Sequence, residues 1–112
     1  MTKILFITAD EQRFDALGCT GNNNTKTPNL DQIASEGINY QRAYVNNVTC
    51  MPSRATMVTG QYPATHGVFT NGVPLPINAP SFSSHLQNHG YKTALIGKSH
   101  LEPVMGSPES FW

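Results

Sequence analysis

The segment from Cys50 to Gly60 places a sulfur nucleophile beside a proline and an arginine. Proline is favoured in the first turn of a helix and glycine just after its end, so the sequence predicts a short helix over residues 52–59 that Gly60 closes. Cys50 then lies at the helix N-terminus, where unpaired N–H groups stabilise a thiolate or a bound oxyanion. Arg54 adds a fixed positive charge and planar donors one turn later. This pattern is typical of a site for anion chemistry.

Charged side chains follow two further segments, in each of which the sequence predicts a strand. Residues 3–9 form a continuous rather than alternating apolar run, which is typical of a strand buried on both faces of a parallel sheet, and residues 91–96 predict another strand. The charged residues that follow these strands are Asp10, Glu11, Lys98 and His100. Ligands of open α/β sheets bind beyond the carboxyl ends of strands, so these side chains are candidates for one site. A solvated loop is the alternative for the two acids.

The remaining segments complete the predicted order of elements. A helix is predicted over residues 28–36 with Thr27 as its N-cap, and a second helix over residues 80–88. Residues 38–45 alternate in part between apolar and polar, which predicts a strand with one less buried face. Residues 61–79 contain too many prolines and glycines for a long element. This order of elements predicts an α/β fold with mostly parallel strands.

Composition limits the class of partner. The 112 residues suffice for one domain or part of one, and seven basic residues balance seven acidic ones. A neutral surface favours a small-molecule partner over nucleic acid or an anionic membrane. No segment approaches the ~20 apolar residues of a membrane span, and the apolar run near the start is too short for a secretory leader, which predicts a cytoplasmic protein. Phe111 and Trp112 have nothing after them to cover them, so we expect residues 1–112 to be an incomplete part of a longer domain.

Several other kinds of site fail on spacing. The two cysteines, Cys19 and Cys50, form no CxxC pair and give no zinc-ligand pattern. A P-loop would need glycine where Lys92 stands, and a serine-hydrolase elbow would need glycine in place of Leu101. A cysteine phosphatase would have arginine where Thr56 stands. An inert, packed thiol remains the alternative for Cys50 considered alone.

These residues together resemble the sulfatase family. The matching positions are Cys50-x-Pro52-Ser53-Arg54 with Thr59-Gly60, Asp10, Thr27-Pro28-Asn29-Leu30-Asp31, Gly60-Gln61-Tyr62-Pro63 with His66-Gly67, Gly90-Tyr91-Lys92-Thr93-Ala94, and Gly97-Lys98-x-His100. The resemblance covers the N-terminal part of the family's catalytic domain. It implies an alkaline-phosphatase-like α/β fold, in which helices sandwich the sheet.

The resemblance also implies hydrolysis of sulfate monoesters through a modified cysteine. A formylglycine-generating or other sulfatase-modifying enzyme would convert Cys50 to Cα-formylglycine, whose hydrate attacks sulfur. Arg54 would hold this hydrate, and Lys98 would bridge it to the sulfate oxygens. His100 would bind the sulfate or assist departure of the alcohol. The physical reason is that attack on a sulfate ester concentrates negative charge on oxygens that these cations stabilise.

A divalent cation is implied as well. Calcium is usual in sulfatases, with Mg²⁺ or Mn²⁺ as alternatives, and hard carboxylate oxygens suit it. Asp10 would be a ligand, together with the oxidised Cys50 and with Glu11, which stands where the family commonly has a second aspartate. The family's remaining metal ligands lie downstream of the matched region. We therefore expect residues 1–112 alone to lack a complete metal site and to be inactive.

Two alternatives to a sulfatase remain open from the sequence. A phosphonate monoester or phosphodiester hydrolase of the same superfamily would use the same nucleophile. The segment could also serve as a non-catalytic binding module with Cys50 unmodified. Asn71 would suit hydrogen bonding to a substrate oxygen in either enzyme, with a structural role in an Asn-Gly turn as its alternative.

Overall fold

The computed structural model describes residues 2–102 of the chain, so the predicted exposure of Phe111 and Trp112 lies outside the described residues. The chain divides into two compact units, Met1–Ala43 and Tyr44–Trp112. The α-helices are α1 (Pro28–Glu36), α2 (Cys50–Thr59), α3 (Pro63–His66) and α4 (Phe82–Asn88). Within the described range, no helix is both long and apolar enough to cross a membrane.

Two side chains join α1 to a 3₁₀ turn, Gly18–Thr20, in the first unit. The Thr27 hydroxyl accepts a hydrogen bond from the Gly18 N–H at 2.9 Å and donates one to Asp31 Oδ1 at 2.9 Å. The same Asp31 oxygen accepts the Cys19 N–H at 2.7 Å. Thr27 therefore occupies the predicted N-cap position, but its hydroxyl holds the turn and does not cap the helix.

The helix α2 contributes one face to the core of the second unit. Its buried residues are Met51, Pro52 and Ala55. The other buried apolar residues of this core are Val68, Leu75 and Leu101. Met51 and Ala55 lie four residues apart, so both side chains point from the same face of the helix. Burial of this face fixes the orientation of α2, and with it the position of Cys50 at the end of the helix.

Both ends of α2 follow from its sequence. Gly60 ends the helix as predicted: its φ of 69° is a left-handed conformation that glycine adopts without steric cost. Its N–H bonds to the Thr56 carbonyl at 2.8 Å. The helix begins at Cys50, two residues before the predicted start. Pro52 is tolerated there because the first N–H groups of a helix have no partner within the helix.

The one-turn helix α3 ends in a buried histidine. His66 is 5% exposed, its Nδ1 accepts the Val68 N–H at 3.1 Å, and its Nε2 lies 3.0 Å from Thr56 Oγ1. Because Nδ1 accepts a hydrogen bond, the proton of the neutral ring is on Nε2, which donates to Thr56. Burial lowers the pKa of His66 below its ordinary value, with a smaller opposing effect from a backbone hydrogen bond.

The helix α4 starts at Phe82 and not at residue 80 as predicted. Ser81 and Ser84 form a capping box: the Ser84 N–H bonds to Ser81 Oγ at 3.1 Å, and the Ser81 N–H bonds to Ser84 Oγ at 3.3 Å. A residue that caps a helix in this way has extended backbone angles and cannot itself be helical. The capping box therefore sets the start of α4.

The three predicted strands are not formed among residues 2–102, in which the structure contains no β-strand. These strands were predicted over residues 3–9, 38–45 and 91–96. Burial of the first one on both faces is also wrong for the described chain, because the side chains of residues 4–7 are 58–84% exposed. An apolar pattern indicates that a segment is suited to a strand. The strand forms only when a neighbouring strand pairs with its backbone hydrogen-bonding groups.

Candidate active site

Cys50 is the first residue of α2 and is half-buried. Neither Cys50 nor Cys19 takes part in a disulfide within the described part of the chain. The preceding residue, Thr49, has extended backbone angles, and its carbonyl accepts the Ser53 N–H at 3.2 Å. The predicted placement of Cys50 at a helix N-terminus is therefore confirmed. A helix N-terminus favours negative charge on or near this side chain.

Arg54 connects α2 to the segment that carries the predicted basic residues. Its Nη1 donates a hydrogen bond to the backbone carbonyl oxygen of Lys98 at 2.7 Å. Cys50 and Arg54 lie four residues apart on one helix, so their side chains project from the same face. The structure thus brings together Arg54 and the Gly97-Lys98-Ser99-His100 segment.

His100 lies between two points at which the backbone is held. Lys98 O accepts the Arg54 bond on one side, and Leu101 O accepts the Leu75 N–H at 2.9 Å on the other. His100 itself has a φ of 50°, in the left-handed region that side chains with a Cβ seldom adopt. Such a conformation persists only where its surroundings enforce it, and it is common at functional sites.

One ring nitrogen of His100 is buried without a partner. Among residues 2–102, its Nδ1 is the one buried side-chain nitrogen or oxygen atom that makes no hydrogen bond. A buried polar atom left in this state costs about 1–3 kcal/mol. The unpaired nitrogen therefore raises the free energy of the folded chain alone. A hydrogen bond to a ligand atom would remove this cost.

Asn71 meets the start of α2 from a distant turn. Its Oδ1 accepts the Met51 N–H at 2.9 Å, and the N–H of Gly72 lies 3.0 Å from Met51 Sδ. The expected Asn-Gly turn is present. One atom of the Asn71 amide is thus bonded to the residue after Cys50, while a contact with substrate stays a prediction.

The predicted metal-binding acids Asp10 and Glu11 belong to the first unit. Glu11 has a φ of 54°, and together with His100 it is one of the two non-glycine residues with positive φ in the described range. No three His, Cys, Asp or Glu side chains within residues 2–102 are grouped so that they could share a metal ion. Carboxylates suit a calcium ion, but these residues supply at most part of its ligand set.

Sequence reasoning did not identify Asn47 and Met51 as parts of this site. Asn47 Oδ1 accepts hydrogen bonds from Thr49 N–H at 2.8 Å and from Thr49 Oγ1 at 2.6 Å. A signal for this turn was available, because asparagine commonly bonds to the backbone two residues later. Met51 carried no comparable signal, since an apolar residue in a helix is ordinarily just part of a core.

The geometry agrees with a comparison against known protein families. The family model described as Sulfatase matches residues 2–107. This chain belongs to the sulfatase family. The match extends over both units and includes the residues singled out above.

Two curated relatives of this chain are also named as sulfatases. This sulfatase-family chain is 37% identical over 100 residues to an ulvan-active sulfatase of Formosa agariphila, a match that covers 89% of the chain and 20% of the relative. It is 37% identical over 108 residues to an N-acetylglucosamine-6-O-sulfatase of Bacteroides thetaiotaomicron, covering 96% of the chain and 19% of that relative. The chain thus spans about a fifth of the length of these relatives.

A solved structure supports the predicted fold class. The phosphonate monoester hydrolase of Agrobacterium radiobacter matches with a TM-score of 0.80 and 31% identity, over 93% of this sulfatase-family chain and 21% of that protein. The family match and this likeness support the alkaline-phosphatase-like class predicted from the sequence. The arrangement and direction of strands stay a prediction.

Proposed function

We propose that this chain is the N-terminal part of a catalytic domain that hydrolyses sulfate monoesters, with a Cα-formylglycine made from Cys50 as its nucleophile. The observation that carries the proposal is the contact between Arg54 and Lys98. It joins the helix that begins with Cys50 to the segment that contains Lys98 and His100. A nucleophile, a fixed cation and two further basic side chains are thereby supplied by two connected segments.

Each side chain has a role that its chemistry supports. The hydrated aldehyde at position 50 would supply the hydroxyl that attacks sulfur. Arg54 would orient position 50, because its guanidinium is already held by the Lys98 carbonyl. Lys98 would bind sulfate oxygens, which gain negative charge in the transition state. His100 would hold a sulfate oxygen or give a proton to the departing alcohol, which agrees with its unpaired nitrogen.

A divalent cation, calcium in the first instance, would be bound by Asp10 and Glu11 together with the modified Cys50. The carboxylates are hard oxygen donors that suit calcium, and the family resemblance implies further ligands downstream of the matched region. When bound, the cation would stabilise negative charge on the sulfate oxygens. A sulfatase-modifying enzyme is the partner that this proposal requires.

The alternative substrate class is a phosphonate monoester or phosphodiester. The likeness to a phosphonate monoester hydrolase at a TM-score of 0.80 is the observation in its favour. The named curated relatives favour sulfate esters. Rates of the full-length protein on matched aryl sulfate and aryl phosphonate esters separate the two, and faster phosphonate turnover would overturn the sulfate assignment.

The nucleophile is tested by mass spectrometry of the peptide that contains residue 50, using protein from its native host. Conversion of the thiol to an aldehyde changes the mass of this peptide, and we expect most of the active protein to carry it. Cys50→Ala should abolish hydrolysis of the aryl sulfate, whereas Cys19→Ala should not. Full activity of Cys50→Ala would overturn the assignment of the nucleophile to position 50. An unmodified thiol in a wild-type protein that hydrolyses neither ester would overturn the enzymatic proposal and favour a non-catalytic module.

A further inference from the structure

The residues on either side of Cys50 are each held by an asparagine side chain. Asn47 Oδ1 accepts two hydrogen bonds from Thr49, one from its N–H at 2.8 Å and one from its hydroxyl at 2.6 Å. Asn71 Oδ1 accepts the Met51 N–H at 2.9 Å. Position 50 therefore lies between two residues whose backbones are fixed by side chains from outside the helix.

The bond from the Met51 N–H to Asn71 takes the place of the usual side-chain cap of α2. A helix leaves its first N–H groups unpaired, and the side chain of the N-cap residue ordinarily accepts one of them. Within the described chain, the N-cap residue Thr49 makes no such bond, and its hydroxyl points to Asn47, to which it donates. Asn71 accepts the Met51 N–H in its place. The cap of α2 is thus a tertiary contact with a residue twenty positions later.

The Met51 side chain strengthens this contact. It is 1% exposed, and its Sδ accepts the Gly72 N–H at 3.0 Å. One hydrogen bond thus runs from Met51 to the turn, and another runs from the turn to Met51. The sulfur bond is the weaker of the two, but both must break before the turn and the start of α2 can separate.

We propose that Asn71, assisted by Asn47, is a positioning residue for the nucleophile at position 50. This inference rests on the proposed function and deepens it: the two amides set the orientation of the Cα–Cβ bond of residue 50, from which the nucleophile projects. Attack in line with a leaving group depends steeply on such orientation, since a 1 Å displacement can cost about 100-fold in rate. This positioning role differs from substrate binding, because Asn71 acts on the nucleophile through the Met51 N–H and not by contact with the substrate.

The two roles of Asn71 predict opposite orders of activity for two variants. Asn71→Asp keeps an oxygen that accepts the Met51 N–H and loses the amide donor, whereas Asn71→Ala loses both. Positioning predicts that kcat falls about 10- to 100-fold in Asn71→Ala and largely recovers in Asn71→Asp. Substrate binding through the amide N–H predicts that Asn71→Asp is at least as impaired as Asn71→Ala, because it also repels an anionic ester.

The experiment measures kcat at saturating aryl sulfate for the full-length protein, with the fraction of modified residue 50 determined by mass spectrometry for each variant. Gln87→Ala is the matched control, since it removes an exposed amide on α4 that bonds to Thr93 at 2.8 Å. We expect this control to keep the wild-type kcat. A kcat in Asn71→Asp at or below that of Asn71→Ala would overturn the proposal.

Hydrogen exchange of the Met51 amide provides a readout that does not depend on turnover. Exchange should accelerate in Asn71→Ala and stay slow in Asn71→Asp, whereas unchanged protection in Asn71→Ala would overturn the proposal. Asn47→Ala should accelerate exchange at Thr49 and lower kcat in the same direction. If the wild-type protein hydrolyses no ester, the proposed function fails, and the exchange rates alone still decide whether Asn71 holds Met51.

Discussion

Arg54 and Lys98 are joined by a 2.7 Å hydrogen bond from a guanidinium nitrogen to a backbone carbonyl, across 44 positions of the sequence. This bond uses the backbone carbonyl of Lys98 and no atom of its side chain. It also fixes the segment that contains His100 with respect to α2. Arg54 can thus act on the site both as a charge and as a structural link.

Arg54→Lys should show that the link matters beyond the charge. Lysine keeps the positive charge but lacks the planar guanidinium, which presents several donors at fixed angles. We expect kcat/KM on an aryl sulfate to fall about 100-fold in this variant and further in Arg54→Ala, as for the loss of one preorganised donor. Arg42→Lys, a substitution at an exposed arginine, is the control. Wild-type kcat/KM in Arg54→Lys would show that charge alone suffices.

Gly18→Ala should destabilise the first unit through Asp31. A Cβ built on Gly18 would lie 2.5 Å from Asp31 Oδ2, too close for two unbonded heavy atoms. The carboxylate would have to move, and its bonds from Cys19 and Thr27 would weaken. We expect the free energy of unfolding to fall by about 1–3 kcal/mol, measured by urea denaturation.

A double-mutant cycle identifies the cause of this loss. In an Asp31→Ala background the added methyl group meets no carboxylate, so Gly18→Ala should cost much less there than in the wild type. Equal losses in both backgrounds would show that the close approach to Asp31 is not the reason.

Helices were predictable here because their signals are local. Pro28 and Gly60 each fix an end of a helix through their own backbone preferences, and α1 and α2 end where the sequence predicts. α4 starts two residues after the predicted position because Ser81 caps the helix and so lies outside it. The strands depend on pairing with distant segments, which the apolar run of residues 3–9 does not specify.

In the site too, the sequence predicts features that depend on neighbouring residues and does not predict contacts between residues far apart in the chain. Cys50 at a helix start follows from its neighbours, and the contact between Arg54 and Lys98 agrees with the family resemblance. The bond from Met51 to Asn71 was not predictable, because nothing in either residue specifies the other. Roles for Asp10 in metal binding and for His100 in catalysis stay predictions.

Stability should decrease as the pH falls through the range in which His66 titrates. Above its ordinary pKa of 6.5 the ring is neutral in the folded and unfolded states, so it adds no pH dependence. Burial lowers the pKa of His66 in the folded state. Below pH 6.5 the unfolded state therefore binds the proton first, and the free energy of unfolding falls until the pH passes the lowered pKa.

Urea denaturation at a series of pH values measures this effect. His66→Gln should be less stable at pH 8 by about 1–3 kcal/mol, because the bonds to Val68 and Thr56 are lost, and it should show a smaller slope between pH 6.5 and lower values. Gln87→Ala, which removes an exposed side chain that does not titrate from α4, should keep the wild-type slope. An unchanged slope in His66→Gln would assign the pH dependence to other groups.

Glu11→Gly should stabilise the protein, although most substitutions to glycine destabilise. Glu11 adopts a φ of 54°, a conformation that costs a residue with a Cβ about 1–2 kcal/mol and costs glycine nothing. Glycine loses about 0.5–1 kcal/mol through the greater freedom of the unfolded chain, so we expect a net gain of up to about 1.5 kcal/mol in the free energy of unfolding.

Glu36→Gly is the matched control for this prediction, because Glu36 ends α1 and has no positive φ that glycine could relieve. Only the cost of about 0.5–1 kcal/mol from the greater freedom of the unfolded chain then remains. The same substitution should thus have opposite signs at the two positions. A strained residue is retained where its side chain serves a function, and titration with Ca²⁺ tests that function at Glu11. Calcium affinity should fall in Glu11→Gly and stay unchanged in Glu36→Gly. A loss of stability at both positions would show that the backbone at Glu11 is not strained.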